Sequence, residues 1–269
     1  MQRRDFLTAS LATSAFALTP HLSAQSPAPQ TPASHSRDYY LVRRYSLQSG
    51  PQTALTEHYF GEALFPALTR LGLGTAGAFR LEIGPETPVF YLLIPGSSVD
   101  TLANLDLRLA QDAEFLKAAA PFWNTPATAP AFLRIDSSLL LAFEGWPNLT
   151  PPASAAAKGK RILQLRTYES ATHQDHVRKV EMFHSGEFEI FKNAGFHPVF
   201  FGDTLIGQRM PSLTYMLSFA DTEELNAKWD VFRNDPAWKK LSADPRFAFE
   251  AIVSNITNLV LSPLSVSAI

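Results

Sequence analysis

Cysteine is absent from the sequence. Its absence excludes disulfides, a thiol nucleophile, cysteine ligands for zinc or iron–sulfur clusters, and a lipid on an N-terminal cysteine. An excess of charge of one sign is also lacking, because 23 Lys and Arg residues stand against 25 Asp and Glu residues. With no basic stripe and no charged block, nothing in the sequence indicates a nucleic-acid partner.

Aromatic side chains are plentiful, since 20 of the 269 residues are Phe. This content indicates aromatic interiors or an aromatic-lined pocket. The length allows one large domain or two small ones, each with its own core. After the N-terminal region there is no run of about 18 apolar residues, so the remainder of the chain is not expected to insert into a membrane.

The N-terminal region has the features of an export signal. Arg3 and Arg4 precede an apolar stretch rich in Ala, Ser and Thr, in an order that resembles a twin-arginine signal peptide over residues 1–24. The following Pro- and Ser-rich segment, 25–38, is predicted to be a disordered tether. We therefore expect export to the periplasm or the extracellular space. A frayed basic N-terminus is the alternative interpretation.

The remainder of the sequence contains an internal repeat with a constant offset of 123 residues. The matching pairs include Tyr45 with Tyr168, Phe60 with Phe183, Phe65 with Phe188, Gly72 with Gly195, and Phe115 with Trp238. A single offset that recurs at separate places predicts two tandem copies. We assign them to 39–147 and 161–264, and the Pro- and Ala-rich segment 148–160 to the linker.

Each copy is predicted to run strand, helix, strand, strand, helix, strand, which is the order of a ferredoxin-like βαββαβ unit. In the second copy the first strand is predicted at Ile162–Glu169, and Thr172 with Asp175 resembles a helix-capping box. The predicted apolar face of that helix contains Val177, Val180, His184, Phe188 and Phe191. The predicted fold class is α+β, with two tandem ferredoxin-like units whose sheets pair within one chain or across a homodimer.

Two short motifs in the second copy resemble those of the NIPSNAP family. The stretch 165–168 reads L-R-T-Y on the opening strand, and 234–238 reads N-D-P-A-W after the second helix. The first copy has Q-D-A-E-F at 111–115, without the Pro or the Trp, and is the more diverged half. The resemblance implies a dimeric α+β-barrel fold. That superfamily includes cofactor-free monooxygenases, haem-degrading enzymes and proteins with no assigned chemistry.

An Arg-x-Tyr pair occurs on the opening strand of each copy. Because side chains alternate along a strand, Arg43 shares a face with Tyr45, and Arg166 shares a face with Tyr168. If the two sheets face each other, the four side chains converge on one cavity. An Arg beside a phenol suits a carboxylate, a phosphate or an enolate-like oxygen. The alternative is architectural, with the Arg paired to a nearby acid and the Tyr packed.

His184 lies between Val180 and Phe188 on the predicted apolar helix face. It is a candidate proton shuttle or a ligand to haem iron, and the alternative is a hydrogen-bonded core histidine. Its counterpart at the 123-residue offset is Gly61, so this feature belongs to the second copy alone.

Two further patterns do not carry a site. His173 and His176 are spaced like a metal pair, but no third ligand is evident and polar residues belong at a helix start anyway. The stretch 72–77 reads G-L-G-T-A-G, but it follows a helix and precedes a strand, which is the reverse of a dinucleotide fingerprint. No metal site is predicted and no cofactor is required by the sequence, although haem is an option through His184.

The leading hypothesis is an exported NIPSNAP-like protein that binds a small organic ligand between sheet and helices, with catalysis left open. Its ligand-binding candidates are Arg43, Tyr45, Arg166, Tyr168 and His184. One alternative is a cofactor-free monooxygenase-like or haem-related enzyme. The other alternative is a structural protein whose barrel faces mediate self-association.

Overall fold

The computed structural model describes residues 36–269. The predicted signal peptide at 1–24, and the predicted tether as far as residue 35, lie outside the described residues. Export therefore stays a prediction from the sequence. None of the helices within 36–269 is long and apolar enough to cross a membrane.

Eight strands within the described range form one closed antiparallel barrel, in the order β1-β3-β2-β8-β5-β7-β6-β4. The strands are β1 (Tyr39–Ser46), β2 (Gly77–Ile83), β3 (Val89–Gly96), β4 (Arg134–Ala142), β5 (Ile162–Glu169), β6 (His197–Ile206), β7 (Ser212–Phe219) and β8 (Asn255–Pro263). The bounds predicted for the first strand of the second copy are confirmed. The two halves of the chain meet where β2 pairs with β8 and where β4 pairs with β6. The barrel thus closes within a single chain.

Helices connect the strands and cover the barrel. Those before β4 are α1 (Pro51–Tyr59), α2 (Phe65–Arg70), α3 (Val99–Ala103), α4 (Leu105–Leu109) and α5 (Ala113–Trp123), and α6 (Ala153–Ala156) lies in the linker. Those of the second half are α7 (His173–Met182), α8 (Phe188–Asn193), α9 (Thr222–Asn234), α10 (Pro236–Ser242) and α11 (Phe249–Ile252), with a 3₁₀ turn at Pro245–Phe247. The Thr172 side chain accepts a hydrogen bond from the Asp175 N–H, which confirms the predicted cap.

Apolar side chains form three clusters, one inside the barrel and one beneath each helix layer. The inner cluster contains Leu163 and Leu165 of β5, whereas Tyr168 of the same strand packs beneath the helices of the second half. Leu41 and Tyr45 of β1 pack in the same way beneath the helices of the first half. Because side chains alternate along a strand, each strand supplies both the barrel interior and one helix layer.

A π-helical turn interrupts the first helical segment of each half, at Phe60–Leu64 and at Phe183–Glu187. A π-turn adds a residue to the helix and rotates everything beyond it relative to a 3.6-residue repeat. The apolar face predicted in the second half is wrong in part, because Val177, which precedes the turn, is 56% exposed, and His184, which lies within it, is exposed. The face that packs inward instead carries Lys179, Met182, Phe183, Glu187 and Phe191.

Candidate functional site

The two Arg-x-Tyr pairs each share one face of their strand, as predicted, but they do not converge. Arg166 and Tyr168 point from β5 toward the helices of the second half, and Tyr45 lies beneath the helices of the first half. The predicted common cavity is therefore wrong. The closed barrel turns these positions outward, and the alternate positions Arg44 and Thr167 line its interior instead.

A cavity of about 330 Å³ lies between the sheet and the helices of the second half. Strands β5 and β8 form one side, the π-turn contributes Glu187, and α9 and α10 form the aromatic side. The lining side chains are Gln164, Arg166, Tyr168, Glu187, Leu225, Asn226, Trp229, Phe232, Arg233, Trp238, Ile256 and Asn258. This is the position, between sheet and helices, at which the sequence predicted a ligand.

Arg166 is the central cation of this cavity. Its Nη2 donates to the Tyr168 hydroxyl at 3.0 Å, and its guanidinium carbon lies 4.5 Å from the centre of a Trp229 ring. Burial alone lowers the pKa of Arg166, but the neighbouring Tyr215, Tyr168 and Glu187 outweigh burial and raise it. The side chain therefore stays charged while it is held flat against an aromatic face.

A pair of tyrosines continues from Arg166 into the core. The Tyr168 and Tyr215 hydroxyls lie 2.8 Å apart, and Tyr215 is fully buried. Burial raises the pKa of Tyr215 well above its ordinary value, and Arg166 only partly opposes this effect. Tyr215 therefore remains a neutral phenol that supplies a hydrogen bond, and it is unsuited to act as a base.

A buried ion pair stands behind the tyrosines. Lys179 Nζ lies 2.6 Å from Glu187 Oε2, and the two side chains are 0% and 3% exposed. Burial raises the pKa of Glu187, whereas Lys179 and then Arg166 act to lower it. A carboxylate at this depth is costly unless it is paired, so Lys179 keeps Glu187 available at the wall of the cavity.

Neutral polar groups complete the sheet side of the cavity. Gln164 accepts a hydrogen bond from Trp229 Nε1 at 2.8 Å and donates to Asn258 Oδ1 at 2.9 Å. These contacts fix the indole against which Arg166 stacks, so the position of the guanidinium is set by its neighbours and not by a counterion.

The corresponding arginine of the first half is neutralised directly. Arg43 donates two hydrogen bonds to Asp106, at 2.8 and 2.9 Å, and Arg43 is 9% exposed. At the offset of 123 residues, Asp106 corresponds to Trp229. The architectural interpretation of the Arg-x-Tyr pair thus describes the first half, whereas the second half has an aromatic ring in place of the acid.

His184 is not part of the cavity. Its Nδ1 donates to the Val180 carbonyl at 2.9 Å, and its Nε2 accepts from the Gly145 N–H at 3.1 Å. Both ring nitrogens are therefore engaged at the surface, far from the inward-facing position expected of it, because of the π-turn described above. Its role as a ligand-binding residue stays a prediction that this placement does not support.

The neighbouring histidines are also engaged elsewhere. His176 Nε2 lies 2.7 Å from Asp203 Oδ1, and His173 is exposed. In residues 36–269 no three His, Cys, Asp or Glu side chains are grouped so that they could hold a metal ion. The His176–Asp203 contact joins α7 to β6 and was not anticipated from the sequence.

Lys179, Glu187 and Tyr215 were missed by the sequence reasoning. Charged residues on a helix are ordinarily assigned to its solvent face, which hides a buried ion pair. One signal was available, because the 123-residue offset aligns Glu187 with Leu64, a residue of an apolar helix. A carboxylate at a position that the other copy fills with leucine indicates a buried charge.

Comparison with known proteins agrees with this architecture. The NIPSNAP family model matches residues 163–268, which lie in the second half of the chain. No curated protein matches the chain. A NIPSNAP-like domain protein from Burkholderia xenovorans is 15% identical, with 39% of this chain and 86% of that chain covered and a TM-score of 0.35.

Two solved structures are similar over most of the chain. A putative monooxygenase from Lactobacillus acidophilus is 7% identical and has a TM-score of 0.54, with 84% of this chain and 94% of that chain covered. An anthrone oxidase-like protein is 10% identical and has a TM-score of 0.52, with 86% of this chain and 93% of that chain covered. At these identities the likeness shows a shared barrel fold and nothing of the chemistry.

Proposed function

We propose that the cavity of the second half binds a small organic anion with a flat aromatic body. The observation that carries this proposal is the state of Arg166. Among residues 36–269 it makes no ion pair, and its Nε is buried without a hydrogen-bond partner. A partly buried guanidinium that makes no direct ion pair has hydrogen-bonding capacity left for an anion that enters the cavity.

The walls indicate what the remainder of the ligand is like. Trp229, Phe232 and Trp238 offer aromatic faces, and Asn226 and Asn258 offer hydrogen bonds. At about 330 Å³ the cavity is at the small end of the range of roughly 300–1,000 Å³ for ligand pockets. An aromatic carboxylate or a phenolate fits both the charge and the size.

Calorimetric titration with 2-naphthoate tests this proposal, with the neutral 2-naphthamide as the uncharged comparison. Arg166→Gln is expected to weaken naphthoate binding by at least about tenfold, because a hydrogen-bonded charge pair contributes roughly 1.5–3 kcal/mol. The matched control is Arg43→Gln, which alters the equivalent arginine of the first half and should leave the affinity unchanged. Equal affinities of the Arg166→Gln variant and the unaltered protein would reject the site.

A second candidate function is a cofactor-free, monooxygenase-like enzyme, and it is favoured by Glu187. A carboxylate whose pKa is raised by burial is a suitable base, and Arg166 in the same cavity would stabilise an enolate or phenolate. Glu187 would remove a proton from the methylene carbon of anthrone, and the resulting carbanion would reduce dioxygen, so that one oxygen atom becomes the new carbonyl of anthraquinone and the other leaves as water. Oxygen uptake with anthrone tests this function, and Glu187→Gln should abolish it. A rate no higher than the protein-free rate would exclude it for this substrate.

We also propose that the two halves, 39–147 and 161–264, are diverged copies of one ferredoxin-like unit. Several elements support this because their bounds coincide after a shift of 123 residues. They are β1 with β5, β3 with β7, α2 with α8, and the two π-turns. Gly72 and Gly195 have φ of 76° and 74°. A crystal structure in which the two halves had different strand orders would contradict the duplication.

A further inference from the structure

A second cavity lies inside the barrel and has a volume of about 560 Å³. Its inner end is aliphatic, with Val42, Leu140, Leu165 and Leu259. An eight-stranded barrel is ordinarily just wide enough to be filled by its own side chains or to hold one small ligand. The volume of about 560 Å³ leaves room in this lumen for one small ligand.

The lumen wall from the first half is charged. Arg44 of β1 stands opposite Tyr91 of β3 and Asp136 of β4 in the strand register. Asp136 accepts hydrogen bonds from Arg44 at 3.3 Å, Arg134 at 3.2 Å and Gln208 at 2.6 Å. This wall is therefore a fixed array of alternating donors and acceptors that faces the cavity.

The lumen wall from the second half carries several hydroxyl groups. Thr167 of β5 stands opposite Thr214 of β7 and Thr257 of β8, at the positions that correspond to the charged wall. The Thr167 and Thr214 hydroxyls lie 2.8 Å apart. A hydroxyl can donate once and accept twice, so one contact leaves this wall with unused hydrogen-bonding capacity.

Of the three arginines that line the cavity, Arg209 lies farthest from its nearest carboxylate. Three arginines line the cavity (Arg44, Arg134 and Arg209) against two carboxylates (Glu86 and Asp136). Arg44 and Arg134 share both carboxylates. Within residues 36–269, the carboxylate nearest to Arg209 is that of Glu169, outside the lining, at 3.5 Å, and Arg209 donates to Thr257 Oγ1 at 2.5 Å.

We propose that the barrel lumen binds a small hydroxylated organic monoanion of the sugar-acid class. The carboxylate of the ligand is held by Arg209 at the mouth. The hydroxyls of the ligand lie between the Thr167 and Thr214 hydroxyls on one side and the Asp136 array on the other. Both sides can form hydrogen bonds with neutral hydroxyl groups. This site is separate from the Arg166 cavity, because the two are on opposite faces of β5.

Calorimetric titration of the full chain with D-gluconate, D-glucuronate, D-glucose and hexanoate tests the proposal. At least one of the two sugar acids should bind. Glucose lacks the carboxylate and hexanoate lacks the hydroxyls, so each should bind at least about tenfold more weakly. Arg209→Gln and Thr214→Val should each weaken sugar-acid binding. Arg209 is half-exposed, so its replacement is not expected to disturb folding.

Arg178→Gln, a surface change outside both cavities, and Arg166→Gln are the controls, and both should leave sugar-acid binding unchanged. Loss of naphthoate binding in Arg166→Gln, together with intact gluconate binding, would show that the two sites are independent. The lumen proposal is overturned if neither sugar acid binds at about 10 mM, or if hexanoate binds as well as the sugar acids. Binding that is insensitive to both Arg209→Gln and Thr214→Val also overturns it.

Discussion

The helix layer over β1 and the helix layer over β5 each contain an arginine two residues before a tyrosine, at corresponding positions of the barrel. In the first half, Arg43 is neutralised by Asp106 with two hydrogen bonds. In the second half, Arg166 stacks on Trp229 instead. The arginine thus has a carboxylate partner in one layer, whereas in the other it makes no ion pair within residues 36–269 and stacks on an indole.

The helix positions that pack behind the two arginines are uncharged in the first half and charged in the second. At the 123-residue offset, the first half has Thr56 and Leu64, both fully buried, where the second has Lys179 and Glu187. Buried charges rarely improve stability, so their presence in one half alone indicates a role beyond packing. The fold does not need these charges, since the first half forms its helix layer without them.

Breaking the buried ion pair of the second half should give the largest effect. Lys179→Met leaves Glu187 buried without its partner, and we expect the free energy of unfolding to fall by about 3–5 kcal/mol. The double variant Lys179→Met/Glu187→Leu removes both charges, which the first half lacks at the corresponding positions. It should recover most of the loss. Urea denaturation monitored by Trp fluorescence measures both changes.

An additive result would contradict this account of the ion pair. If Glu187→Leu and Lys179→Met each destabilised the protein and the double variant lost the sum of the two, then the charges would not depend on each other. The Lys179–Glu187 contact would then be incidental to stability.

Removing the partner of Arg43, or removing Arg166 itself, should change the free energy of unfolding by an intermediate amount. Asp106→Asn removes the anion that faces Arg43 and should cost about 1–2 kcal/mol, because the Asp106 side chain is 58% exposed and partly screened. Arg166→Met should change stability by less than about 1 kcal/mol, since only stacking and one hydrogen bond are lost. Thermal and urea unfolding of the two variants test this ranking. A larger loss for Arg166→Met would mean that Arg166 is structural.

Much of this fold could be predicted from the sequence because its signals are local. The strand bounds of Ile162–Glu169 and the Thr172 cap depend on alternation and on one side-chain hydrogen bond. The Arg166–Tyr168 pair was identified for the same reason, because residues two apart on a strand share a face. The shared NIPSNAP-like motif then indicated a barrel.

The remainder depended on features that no local pattern contains. The π-turn at Phe183–Glu187 breaks the 3.6-residue repeat, so a regular periodicity placed His184 inside although it is exposed. Lys179 precedes the turn and was missed because a lysine is ordinarily assigned to the solvent face of a helix. Which face of β1 and β5 points into the barrel is decided only when the sheet closes, so the arginines were expected to meet. The charged wall around Arg44 was missed because its partners come from three separate strands.

The pH dependence of stability should show the smallest effect. Within the second half it should have opposite signs for two glutamates, Glu187 and Glu224. Burial raises the pKa of Glu187 above its ordinary value of 4.5, against the lowering effect of Lys179 and Arg166. The folded protein therefore binds this proton more tightly than the unfolded chain does. The stabilisation from Glu187 is present below about pH 4.5 and is lost as the pH rises through the folded-state pKa.

Glu224, at the exposed start of α9, is the matched control with the opposite sign. The Ala220 N–H, followed by Lys228, holds the pKa of Glu224 below its ordinary value, so its stabilisation is present at higher pH and is lost as the pH falls. Unfolding free energies between about pH 4 and 8 should therefore change slope in opposite directions for Glu187→Gln and Glu224→Gln. If both variants shifted the slope in the same direction, the Glu187 carboxyl would not be held as a buried acid at the cavity wall, and its candidacy as a base would lose its physical basis.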